Sequence, residues 1–70
     1  MNHLEFSLSS EYIELIKLLK LLNLVESGAD AKIVVEEGLV KYNDEIEFRK
    51  RKKLRSGDVV EFNNSTIKIS

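Results

Sequence analysis

Leu4, Phe6 and Leu8 alternate with Glu5 and Ser7 near the start of the chain. A period of two predicts a strand with one buried face. Ser9-Ser10 interrupts the alternation and offers a helix N-cap. Beyond it the period changes. Tyr12, Leu15, Ile16, Leu19 and Leu22 recur at intervals of three and four, with Ile13, Leu18 and Leu21 widening the stripe. This predicts an amphipathic helix over 12–22 with a broad apolar face. Glu11 and Glu14 would lie in its first turn and Lys17 and Lys20 toward its other end, matching the helix dipole.

A short connector follows, and Ser27-Gly28-Ala29-Asp30 fits a capping box, with a hydroxyl at the N-cap and an acid three residues on. Ala31, Val34 and Val35 supply the buried side of a second, shorter helix, which Gly38 ends by taking a left-handed conformation cheaply. The period then returns to two. Leu39–Tyr42 and Glu45–Phe48 read as strands joined at Asn43-Asp44. Val59–Phe62 and Ser65–Ile69 read as strands joined at Asn63-Asn64, with a turn at Ser56-Gly57-Asp58 before them. The predicted fold is α+β: two short helices packed on a small antiparallel sheet of about five strands, in the order β-α-α-β-β-β-β. The first strand has most to gain by pairing with a later one, the last strand being the candidate.

At 70 residues there is room for one domain with a thin core. No cysteine is present, which removes disulfides and thiolate zinc sites. No apolar run approaches the roughly 18 residues of a membrane span. A signal peptide is likewise not legible in Met1–Glu5, so a cytoplasmic protein is expected, with no membrane partner. The formal net charge of −1 hides a segregation. Arg49, Lys50, Arg51, Lys52, Lys53 and Arg55 place six cations in seven positions, leaving five basic and twelve acidic residues elsewhere. A basic cluster on an otherwise acidic chain is a local footprint for a polyanion. Asp44, Glu45 and Glu47 stand just upstream, and their orientation sets the strength of the patch.

These residues resemble a known family. Leu18-Leu19-Lys20, Leu24-Val25, Glu26-Ser27-Gly28-Ala29, Ala31-Lys32, Glu37-Gly38, Val40-Lys41, Asn43, Glu47, Arg49 and Gly57-Asp58 stand in the order of the S4-type RNA-binding domain, or αL motif. The resemblance spans roughly residues 12 to 62. Short free-standing bacterial members, of the YbcJ-like and YaaA-like kinds, carry a comparable basic run after the hairpin. Ala29 replaces a common second glycine, and Asp44 replaces the hairpin glycine, so the turn requires Asp44 to adopt a left-handed conformation. The resemblance implies binding of structured RNA, ribosomal or transfer RNA, with the ribosome among the expected partners. The implied surface joins the start of the second helix to the basic segment: Ser27, Gly28, Ala29 and Lys32 with Arg49, Arg51, Lys52 and Lys53, and with Lys50 and Arg55 as additions.

The chemistry of these side chains suits that task. Lys and Arg neutralise phosphates and release counterions, and Arg grips a phosphate with two parallel hydrogen bonds. A helix N-terminus offers unpaired N–H groups, and glycine lets a phosphate approach. The same features also serve a bland purpose: Ser27 caps its own helix, Asp30 competes for the same donors, and Lys32 is a helix lysine facing solvent. Phe6, Phe48 and Phe62 fall on apolar strand faces and read as core, and Tyr42 as a strand-face residue. Few aromatics remain for stacking single strands, which favours duplex or folded RNA recognised by shape and backbone. His3 has no partner for a metal site, Glu36 and Glu37 diverge on their helix, and no serine has a base beside it. A non-catalytic monomer without cofactor or small-molecule substrate is expected. A DNA-associated, replication-related factor using the same cations, or a protein-interaction module on the ribosome, is the alternative.

Overall fold

The computed structural model describes residues 2–70. Nine elements follow in chain order: β1 (Asn2–Phe6), β2 (Ile13–Glu14), α1 (Leu15–Leu21), α2 (Gly28–Glu36), β3 (Val40–Tyr42), β4 (Glu45–Ile46), β5 (Lys53–Leu54), β6 (Val59–Phe62) and β7 (Ser65–Ile69). The main sheet has five strands in the order β1-β7-β6-β3-β4, and β2 pairs with β5 in a separate two-stranded ladder.

The two predicted hairpins are present, each with a two-residue loop. Tyr42 pairs with Glu45, and Phe62 with Ser65. Asn43 and Asp44 have φ of 48° and 70°, and Asn63 and Asn64 have φ of 49° and 64°. Two successive positive φ values give the turn whose twist matches the flanking strands. Asp44 thus takes the left-handed conformation without being glycine, as a short polar side chain can.

The sheet is mixed, which corrects the expectation of a wholly antiparallel one. The first strand does pair with the last, but parallel to it, with Leu4 opposite Ile67 and Phe6 opposite Ile69. Parallel strands need a long crossover, and nearly the whole chain lies between these two. The register sets Leu4 and Phe6 beside Ile67 and Ile69, so the apolar side of β1 packs on the core.

The first helix is shorter than its periodicity suggests. It starts at Leu15, not near Tyr12; Glu14 is its N-cap and makes no side-chain cap bond, and its first turn holds no acid. The reason is long-range. Ile13 and Glu14 are drawn into a ladder with Leu54 and Lys53. The Leu15 and Ile16 amides donate to the carbonyls of Lys52 (2.9 Å) and Lys50 (3.2 Å). Two of the orphan donors of α1 are therefore met by backbone far along the chain, and Ser10 Oγ donates instead to the carbonyl of Tyr12, two residues on.

The second helix matches its local signals. Ser27 Oγ accepts from the Asp30 amide at 3.2 Å. Gly38, at φ 74°, closes the other end, with its own amide on Val35 O and that of Leu39 on Val34 O. Asn23, at φ 57°, ends α1 in the same way. The helices lie on one face of the main sheet. Leu15, Leu18 and Leu19 of α1, Ala31 and Val35 of α2, Val40, Leu54, Val60, Ile67 and Ile69 are fully buried together. Each large side chain among them contributes about 1.5–3 kcal/mol on burial.

Candidate nucleic-acid interface

The basic run is held by its backbone and by one inward side chain. Leu54 is fully buried while Lys53 and Arg55 flank it at the surface, the alternation of a strand with one wet face. The carbonyls of Lys50 and Lys52 point at the start of α1. Asp58 closes the far end: its Oδ2 accepts from the Arg55 amide at 2.8 Å and its Oδ1 from Asn43 Nδ2 at 3.3 Å. With the main chain so engaged, the cationic heads stand outward.

Two of the six cations carry a carboxylate partner. Glu47, only 7% exposed, accepts from the Arg49 amide (3.0 Å), Nε (2.8 Å) and Nη2 (3.0 Å). This fork holds the Glu47 carboxyl below its ordinary pKa against the opposing effect of burial, and raises the Arg49 guanidinium in turn. Lys50 Nζ meets Glu36 Oε1 at 3.2 Å in an exposed pair. Arg51, Lys52, Lys53 and Arg55 have no ion-pair partner among the described residues. Glu45 is exposed and pairs with none of them. The upstream acids therefore spare most of the patch.

The unpaired four and Arg49 line one shallow concavity; Lys50 lies outside it. Two tyrosines lie at its cations. Lys52 Nζ sits 4.8 Å from the centroid of Tyr42, Lys53 Nζ 4.8 Å from that of Tyr12, and Arg55 Cζ 5.9 Å from the same ring. Such contacts orient long cations while leaving their charge intact. Burial, followed by the neighbouring Asp58 carboxylate, raises the Tyr42 phenol above its usual pKa. Sequence reasoning missed both roles: Tyr12 is assigned to a helix stripe and Tyr42 to a strand face. The alternation of Lys53 and Arg55 about Leu54 was the available signal that both cations share one side. Phe48 corrects another expectation, being 61% exposed and not core. It leans toward Gly38, where an added Cβ would come within 3.2 Å of its ring.

The start of α2 is a second region. Ser27 and Gly28 are half-buried, Ala29 and Lys32 exposed, and the space over Gly28 is open. Among the described residues no hydrogen bond or ion pair joins these four to the basic run. The basic run instead touches the beginning of α1, at Leu15 and Ile16, and the end of α2, at Glu36. At a rise of about 1.5 Å per residue, Gly28 lies about 12 Å along the axis from Glu36. Ser27, Gly28 and Ala29 therefore lie at the far end of α2 from the basic run, whereas Lys32, midway along α2 and one turn before Glu36, lies between the two. No group of three or more His, Asp or Glu side chains that could hold a metal ion occurs among the described residues. No described helix is long and apolar enough to cross a membrane.

Comparison with known proteins extends the resemblance. The chain is 43% identical over 65 residues to YbcJ of Escherichia coli (strain K12), covering 91% of this chain and 93% of that one. It is 44% identical over 55 residues to the "Probable ribosome maturation protein RlbA" of Bacillus subtilis (strain 168), covering 79% and 78%. The solution structure of E. coli YbcJ, described as revealing an αL motif involved in RNA-binding, superposes with a TM-score of 0.73 at 41% identity, over 99% of this chain and 89% of that one. A family model, described as the S4 domain, matches residues 6–70. With the helix pair, the mixed sheet and the basic segment all in place, the chain belongs to the S4 domain family.

Proposed function

We propose that this chain is a non-catalytic module that binds structured RNA, ribosomal RNA foremost, through its phosphates. The observation that carries this reading is the convergence of Arg51, Lys52, Lys53 and Arg55 on one concavity, none of them ion-paired to a carboxylate among the described residues. Clustered like charges repel, and an anionic ligand relieves that cost. Arg49 sits at the margin, its side chain 69% exposed though its guanidinium is bound to Glu47. Lys50 supplies a further, weaker contact. Ser27, Gly28 and Ala29 form a second contact one helix length away, with Lys32 midway between, a span that a rigid duplex or a folded RNA bridges more readily than a flexible strand. The role named for RlbA supports the choice of ribosomal RNA. Phosphate contacts carry little base information, so recognition by shape is expected from this surface.

The test is titration of an RNA duplex across salt concentrations, beside a DNA duplex of equal length. Four phosphate contacts give a log–log slope of about −3 to −4. The variant with Arg51, Lys52, Lys53 and Arg55 changed to alanine should lose most of its affinity and flatten the slope toward zero. Unchanged affinity and slope in that variant would refute the reading. Equal affinity for the DNA duplex would transfer the site to a DNA ligand.

A further inference from the structure

Beside the basic concavity lies a groove of ≈ 530 Å³ at the mouth of the loop between β1 and β2. We propose that it seats one unpaired base of the bound RNA, an inference that rests on the RNA-binding reading above. Its size falls within the roughly 300–1,000 Å³ of small-ligand sites. Leu8, Tyr12 and Leu21 give it apolar walls, while Ser9, Glu14 and Lys17 bring polar groups to it. Leu21 is 54% and Tyr12 37% exposed, so apolar surface is left uncovered there.

The groove and the concavity share a border, and that border selects the occupant. Tyr12 lines the groove, yet its ring also carries Lys53 and Arg55. Glu14 lines the groove, yet stands opposite Lys53 in the β2–β5 ladder. A nucleotide carries its base and its phosphate on one ribose. A phosphate held by Lys53 or Arg55 therefore delivers its base to the adjoining apolar wall. A paired base stays in its stack, whereas a bulged one costs least to move.

The polar groups add a preference. The Glu14 carboxylate receives no hydrogen bond among the described residues, and an ionised carboxylate only accepts. It suits the exocyclic amino group of adenine, cytosine or guanine, which uracil lacks. Lys17 offers a donor to a ring nitrogen or carbonyl.

The experiment compares a fully paired RNA hairpin with the same hairpin carrying one bulged adenosine, by anisotropy with the full chain. Wild type should bind the bulged hairpin about tenfold more tightly. Ser9→Phe, which fills the groove from an exposed position, should abolish that gain and leave the paired hairpin's affinity unchanged. Glu14→Gln should narrow the preference for a bulged adenosine over a bulged uridine. Because a groove variant can also unfold, amide shifts are followed in the wild type: Ser9 and Leu21 should move with the bulged hairpin only. Equal affinity of wild type for both hairpins, with binding intact, overturns the proposal and leaves the groove to a protein partner. A gain that survives Ser9→Phe overturns it too. If wild type binds neither hairpin, the RNA-binding reading itself falls, and the base seat with it.

Discussion

The starts of the two helices are built in opposite ways. Helix α2 caps itself: Ser27 accepts from the Asp30 amide three residues on. Helix α1 has no such side chain and borrows the carbonyls of Lys50 and Lys52, more than thirty residues away. The borrowing explains the basic segment. A loop with six cations in seven positions has every electrostatic reason to stay extended and mobile. Here its backbone is committed to α1, and Leu54 is committed to the core, so the side chains are presented in one arrangement. A ligand meeting them loses less conformational entropy on binding. The self-capped start of α2 carries no comparable organisation, and Ser27 already occupies one of its donors.

The contrast breaks first at Leu54. Leu54→Ala removes the one inward anchor of the segment and leaves a cavity in the shared core, costing about 2–5 kcal/mol in a denaturant melt. Hydrogen exchange should show the Leu15 and Ile16 amides opening with it, since their acceptors lie on that segment. Protection of those two amides in the variant would show α1 to be held independently.

Glu47 gives the next largest effect. Its carboxyl is depressed in the folded state, chiefly by the Arg49 hydrogen bonds. The stability it contributes is therefore present above the unfolded value of about 4.3 and is lost as pH falls below that value through the folded one. Glu47→Gln should cost about 1–2 kcal/mol at neutral pH, the exposed guanidinium limiting the loss, and should flatten the acid limb of the melting profile. The freed Arg49 should then raise RNA affinity and steepen the salt slope. An unaltered acid limb would show that the fork does not contribute.

Ser27→Ala is the smallest of the three, about 1 kcal/mol. It should deprotect the Asp30 amide while leaving Leu15 and Ile16 as they were, the converse of Leu54→Ala. Loss of protection at both helix starts would erase the distinction between a local and a borrowed cap.

Much of the fold was legible because its causes are local. The Asn43-Asp44 and Asn63-Asn64 turns, the Ser27 cap, the Gly38 stop and the alternation of the late strands each involve residues within a few positions of one another. The cationic run was equally plain as composition. Phe48 was misplaced because alternation alone does not say which face of a two-residue edge strand is covered, and β4 stops before it.

Amino-acid order alone therefore determined the hairpin turns, the second helix with its cap and stop, the late strands, and where positive charge gathers, since those preferences arise from backbone sterics and neighbours in the chain. The tertiary structure alone decided the parallel seating of β1 on β7, the late start of α1, the capture of Arg49 by Glu47 instead of its sharing among upstream acids, and the placing of Tyr12 beside Lys53 and Arg55. In most of these the partners are tens of residues apart, and only the packing of helices on the sheet brings their hydrogen-bonding and charged groups within reach.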